Sequence, residues 1–280
     1  RFGQTNVTAG NDFVAIAAGG RQSLALRRDG SIAAWGDKST GQTNVPSGTD
    51  FVAIAAGEWH SLALRKDGSI VAWGNHEYGQ TNVPEIADFV AIAAGERHNI
   101  ALRKNGSLTA WGDNKSGQTN VPAGTDFVAV AAGTAHNLAL RRDGSLATSG
   151  DNKWGQTSVP SGKDFVAIAA GTDSNLALRK DGSLVAWGEG FAMRRTNVPK
   201  GTDFVAIAVV AYYNLALRKD GSLAAWGHSK SGQMNIPKGK NFVAIAVGGY
   251  HCLALRKDGS IAAWGDNKDG QTNVPKGKNF

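Results

Sequence analysis

The chain has 280 residues, and 30 Lys and Arg outweigh 23 Asp and Glu to give a formal net charge of +7. The single cysteine, Cys252, excludes an intrachain disulfide and any metal site built from cysteines. No stretch approaches the roughly 18 uninterrupted apolar residues that a membrane-crossing helix requires, so no membrane contact is expected.

The first residues, RFGQTNV, carry no signal-peptide pattern. They match the middle of a unit repeated later, with Arg1 and Phe2 standing where Glu77 and Tyr78 stand before Gly79. The chain is therefore expected to be a trimmed or mature product of a longer precursor. At Phe13 a full unit opens, and it returns at Phe51, Phe89, Phe127, Phe165, Phe204 and Phe242, while Phe280 starts another. The spacing is 38 residues, or 39 between Phe165 and Phe204. A period of this length marks one supersecondary unit that buries its apolar face only against its neighbours. The expected organisation is one domain with repeats 13–50, 51–88, 89–126, 127–164, 165–203, 204–241 and 242–279, and partial repeats at 1–12 and 280.

Within a unit, FVAIAAG is a continuous small-apolar run of strand length, as in a strand buried on both faces. SLALR follows, then an Asp-Gly turn (Asn105-Gly106 in the third unit), a strong hairpin signal. SIAAWG makes a third strand. QTNVP reads as a fourth, outer strand ended by proline. No segment shows a helical apolar period. Four antiparallel strands in each of seven units predict an all-β, seven-bladed β-propeller. The Ala- and Gly-rich run belongs nearest the axis. Trp35, Trp73, Trp111, Trp187, Trp226 and Trp264 belong between blades, and Ser149 in their place in the fourth unit predicts a packing gap. Eight QTNV-like segments accompany seven FVAIA segments, leaving one surplus at the ring closure.

The net charge invites a nucleic-acid reading. The basic pairs before each turn, from Arg27-Arg28 to Arg256-Lys257, are spread evenly round the ring beside acidic neighbours. They read as a scaffold rim, and nucleic acid is not an expected partner.

Two stretches differ from unit to unit: the one after the first strand and the one after Trp-Gly. Because strands alternate in direction, both emerge on one face, while the nearly constant turns emerge on the other. Tyr78, Tyr212, Tyr213, Tyr250, Trp59, Trp154 and Phe191 all lie in these stretches, together with Arg97 and Arg194. Trp and Tyr interleaved with Arg is the composition of a protein-binding hot spot. These nine residues are the candidate partner-binding set. The fifth unit, with its longer EGFAMRR loop, is expected to be the energetic centre.

AIAAGEWHSLALRKDGSIVAWG and WGDNKSGQTNVP resemble the regulator-of-chromosome-condensation repeat, along the whole chain. Within that superfamily the compact units are most similar to the secreted β-lactamase inhibitory proteins. The resemblance implies a seven-bladed propeller with tryptophans between blades. It implies a structural role for His60, His98, His136 and His251, with each imidazole bonding backbone at the strand entry. It also implies a serine β-lactamase as the protein partner. The expectation is a monomeric, secreted or extracellular, non-catalytic binding module with no cofactor and no metal. An enzyme would have to use Glu58, Glu96 and Asp173 with the histidines, but no nucleophile–base spacing or ligand cluster supports one. A lectin-like propeller and a recently amplified or engineered array with no settled partner stand as alternatives.

Overall fold

The computed structural model describes residues 12–188, 197–210, 213–227 and 231–274. Seven antiparallel sheets of three strands each follow one another along the chain. In the first blade the inner strand is Phe13–Ala18, the middle strand Gln22–Arg27 and the outer strand Ile32–Gly36. The inner strands of all seven blades line one axial cavity, which places the Ala-rich run innermost. The ring closes where Gly249 N–H donates to Gly19 O at 3.1 Å, between the last blade and the first.

The expected fourth strand does not form. Gln42 and Thr43 lie in a turn and the following residues are irregular, as in the equivalent segments that open at Gln80, Gln118, Gln156, Gln233 and Gln271. The cause is that the backbone of this segment is committed elsewhere. Gln42 O accepts from Trp73 Nε1 at 2.8 Å and from Ser61 Oγ at 2.9 Å, both in the next blade. The segment's proline has no N–H to give a ladder. Gln80 O, Gln156 O and Gln233 O likewise take the indole protons of Trp111, Trp187 and Trp264. In the ladder's place, these described segments pin their own blade to the following one.

The inner strand also departs from the expected two-sided burial. A register shift between Phe13 and Ala15, repeated in every blade, sends the phenylalanine inward and the valine out. Phe13 is 3% exposed and Val14 47%. The core is inter-blade. Phe89, Ala101 and Trp111 of the third blade pack on Leu62, Leu64 and Ile70 of the second. Arg65 sits 4.7 Å above the Phe51 ring and pairs with Asp50 at 2.6 Å, an arrangement repeated in the first, fourth, fifth and sixth blades. The first member of most basic pairs is thus used by the scaffold. At the opposite-face hairpin, Gly30 takes φ 84° as the last residue of a three-residue loop, where Gly30 N–H donates to Arg27 O.

The histidines form a second tie between blades. His60 Nε2 meets Asn99 Oδ1 at 2.7 Å, and Asn99 Nδ2 donates onward to Gln80 O. With its amide hydrogens so directed, Asn99 presents an acceptor, and the imidazole must carry its proton on Nε2. His98 to Asn137 and His136 to Asn175 repeat the tie, and His251 to Ser23 carries it across the closure. The bond reaches a side chain of the next blade, correcting the expected backbone partner. Gln22 and Tyr213 occupy the same repeat position. They bond the next blade's carbonyls instead, Gln22 those of Gly57 and His60, and Tyr213 those of Gly248 and His251. Ser174 is too short, and its buried hydroxyl has no hydrogen-bond partner among the described residues. Cys252 is fully buried, with its thiol pushed up to about 12 by burial, and is scaffold.

Ser149 partly replaces a tryptophan. Its hydroxyl donates to Gln118 O at 3.3 Å, restoring the polar bond. The apolar contribution is missing, and the cluster around Leu102, Phe127 and Ala139 holds no indole.

His98→Ala should cost about 2 kcal/mol, because it removes a buried ring and orphans Asn137. Ser174→Ala should cost nothing. Urea denaturation of the two variants checks the contrast. Burial holds His60, His98 and His251 at about 4, below the ordinary 6.5. The unfolded chain therefore takes up protons below about pH 6.5 that the folded chain refuses, and stability must fall with pH from there. A urea midpoint that is flat between about pH 7 and 5 would contradict this neutral, buried tie.

Candidate functional site

The two variable stretches of a blade meet on one face. Asn75 N–H donates to Trp59 O at 2.9 Å, Asp113 to Arg97 O at 2.9 Å and Asp266 to Tyr250 O at 2.9 Å. The loop holding Trp59 and the loop holding Tyr78 are therefore hydrogen-bonded neighbours at one end of the toroid. A common device fixes the second loop. Tyr78 N–H donates to Gln80 Oε1, and Gln80 Nε2 to Asn75 Oδ1. Trp154 and Gln156 repeat the first of these bonds.

Three aromatic side chains on this face, Trp59, Tyr78 and Trp154, are paired with cations. Arg21 lies 5.4 Å from the Trp59 ring centre. Arg97 stacks 4.6 Å over Tyr78 and donates from Nη1 to its hydroxyl at 3.1 Å. Lys115 approaches the same ring at 5.4 Å, and Lys153 lies 5.1 Å from Trp154. Trp59, Tyr78, Arg97 and Trp154 are half-buried, and Tyr250 is 43% exposed. Cation–aromatic contact pre-orients both partners while leaving ring faces and guanidinium edges open to a ligand. Further ion pairs link the strip: Arg21 to Asp269 at 3.7 Å and Arg97 to Glu96 at 3.2 Å.

A funnel of about 400 Å³ opens on the axis at the same end, lined in part by Glu58, Trp59, Glu96, Thr134, Thr172 and Tyr250. Glu58 has its carboxyl pushed above the ordinary range by burial and, second, by Glu96. The histidines do not reach this funnel as ligands. His60, His98, His136 and His251 are 0% exposed in the inter-blade tie, the structural role expected of them. Among the described residues no group of three His, Cys, Asp or Glu is placed to hold a metal ion.

Tyr213 is also corrected. At 1% exposed, with its hydroxyl spent on two carbonyls, it belongs to the scaffold and not to the surface. Its position directly before Asn214 at the start of the middle strand, where the third and fourth units carry His98 before Asn99 and His136 before Asn137, was the available signal. Phe191, Arg194 and Tyr212 lie outside the described residues. The sequence reading missed Arg21 and Lys115, whose roles appear only once neighbouring blades are packed.

The described residues form a seven-bladed β-propeller with one diversified and one constant face. Residues 51–80, 89–118 and 242–271 match the Regulator of chromosome condensation (RCC1) repeat. No curated protein sequence matches the chain. Among solved structures, the ectodomain of the Physcomitrella patens receptor kinase CR4 is similar at 22% identity and TM-score 0.78, over 91% of this chain and 73% of that one. The CRINKLY WD40 ectodomain of Arabidopsis thaliana ACR4 is similar at 20% identity and TM-score 0.77, over 95% and 99%. Prp20p from Saccharomyces cerevisiae, described with binding properties to Gsp1p and histones, follows at 18% identity and TM-score 0.74, over 96% and 88%. At these identities the likeness is one of fold.

Because the Glu58 carboxylate is disfavoured where it stands, Glu58→Gln should raise the urea midpoint at neutral pH and lose that advantage at about pH 4, where the native carboxyl is protonated.

Proposed function

We propose that the chain is a non-catalytic binding module that docks one protein on its variable face. The supporting observation is the segregation of chemistry. Trp59, Tyr78, Trp154 and Tyr250, none needed by the scaffold, stand at one end, three of them beside an Arg or Lys. Large, rigid aromatics beside arginine give contact area at low entropic cost, the usual make-up of an energetic hot spot. Each blade carries a different set, which suits one irregular protein surface better than a repeated small ligand such as a sugar. Protein binding is also what Prp20p is described as doing.

The partner we infer is a serine β-lactamase, with the rim covering the mouth of its active site and the funnel receiving a projecting element. This finer reading is supported by the compactness of the repeats and by aromatics arising from both loop series. Phe191, Arg194 and Tyr212 would extend the contact. An inhibition assay against a panel of serine β-lactamases, with calorimetric titration of any enzyme inhibited, tests it. Alanine at Trp59, Trp154 or Tyr250 should weaken binding by about 2 kcal/mol or more each. Inhibition that survives all three substitutions unchanged would place the contact elsewhere.

A further inference from the structure

Six of the seven junctions between blades hold an indole, from Trp35, Trp73, Trp111, Trp187, Trp226 and Trp264. Where the third blade meets the fourth, Ser149 stands in that position. The filled junctions show what the ring joins. In each of them a leucine from the middle strand of the preceding blade shares the tryptophan's cluster, as Leu62 does with Trp111, Leu138 with Trp187 and Leu176 with Trp226. In these three junctions a valine from the preceding blade's connector joins as well: Val83, Val159 and Val198. At the third and fourth blades the repeat period gives Ile100 and Val121 as the counterparts. Neither belongs to the cluster there, which is built on Leu102, Phe127 and Ala139.

Ile100 is 0% exposed and Phe127 is 2% exposed. What parts them is therefore not open solvent but the ring that Ser149 lacks. Enclosed apolar space of this kind stays dry and takes flat apolar ligands. The junction also keeps its one polar fixture. In five filled junctions the carbonyl of the preceding segment accepts the indole N–H at 2.8–3.1 Å. Gln118 O is the counterpart here. It accepts from Asn137 Nδ2 at 2.6 Å and from Ser149 Oγ at 3.3 Å. The second of these is longer than the about 2.5–3.0 Å usual for a hydroxyl donor, so the carbonyl is poorly served on the side where an indole would stand.

We propose that the junction of the third and fourth blades is a binding site for one small molecule of the indole class, a flat bicyclic aromatic with a ring N–H. Its faces lie against Leu102 and Phe127, its far edge bridges Ile100 and Val121, and its N–H donates to Gln118 O. The Ser149 hydroxyl gives up its long bond to that carbonyl and keeps the one it accepts from Asn137 Nδ2 at 3.1 Å. The ring carbon that bears the side-chain link in tryptophan would abut Ser149 itself. Indole therefore fits, whereas free tryptophan, with a charged chain on that carbon, does not. The site lies between blades and is independent of the binding role of the variable face.

The test uses the full chain and indole itself, read by urea denaturation. The midpoint of the unsubstituted chain should climb with indole concentration, as it does for any ligand that binds only the folded state. Ser149→Trp should raise the midpoint without ligand and abolish the response to indole, because the tethered ring fills the place. Benzofuran, of the same shape without the N–H, should bind about fivefold more weakly, the loss of one hydrogen bond. Tryptophan should give no shift. A midpoint unmoved by indole up to its solubility overturns the proposal. So does an equal response in Ser149→Trp, which would mean binding elsewhere, and so does benzofuran or tryptophan matching indole. If Ser149→Trp does not fold, methyl NMR of the unsubstituted chain decides. Indole should then shift the methyls of Ile100, Leu108 and Val121 first, and shifts spread over all seven blades would overturn the assignment.

Discussion

The interaction on which the ring depends is the glutamine carbonyl that one blade lends to the next. A three-stranded blade has a small sheet and no core of its own; its apolar side chains are satisfied only by a neighbour. Gln80 O gathers both the Trp111 indole and the Asn99 amide, and Asn99 also takes the proton of His60. One carbonyl therefore fixes two blades and the connector between them. Buried donors left without such an acceptor would each cost about 1–3 kcal/mol, which makes the network cooperative around the toroid.

This division of labour explains why one face is free to vary. The constant end carries the Asp-Gly hairpins, the Arg–Phe contacts and the Arg–Asp pairs, all of which repeat because the packing repeats. The variable end hangs from the same glutamines by backbone bonds that do not depend on side-chain identity. Tyr78, Ser116 and Trp154 all give the same N–H to the following glutamine. A rim held through its backbone can change its side chains without disturbing the ring, which is what a recognition surface requires.

Much of this was legible in the sequence. The period gave the number of blades, Asp-Gly gave the hairpin, and the Ala-Trp-Gly series gave the inter-blade indoles. QTNVP misled because its alternation suits a strand, and nothing local tells that Gln42 O is claimed from a residue 31 positions on. Tyr213 misled because it adjoins a divergent loop, although its register is that of the histidine tie. The seven exposed valines, Val14 at 47% among them, were hidden by a run that looks uniformly apolar, and only the backbone shift after Phe13 turns them outward. They stand at the constant end, away from the aromatic rim.

Hydroxyl-radical footprinting of the chain with and without an inhibited serine β-lactamase distinguishes the two ends in one measurement. The account predicts protection at Trp59, Tyr78, Trp154 and Tyr250 with Val14, Val52 and their equivalents unchanged. Protection confined to the valine ring would contradict it.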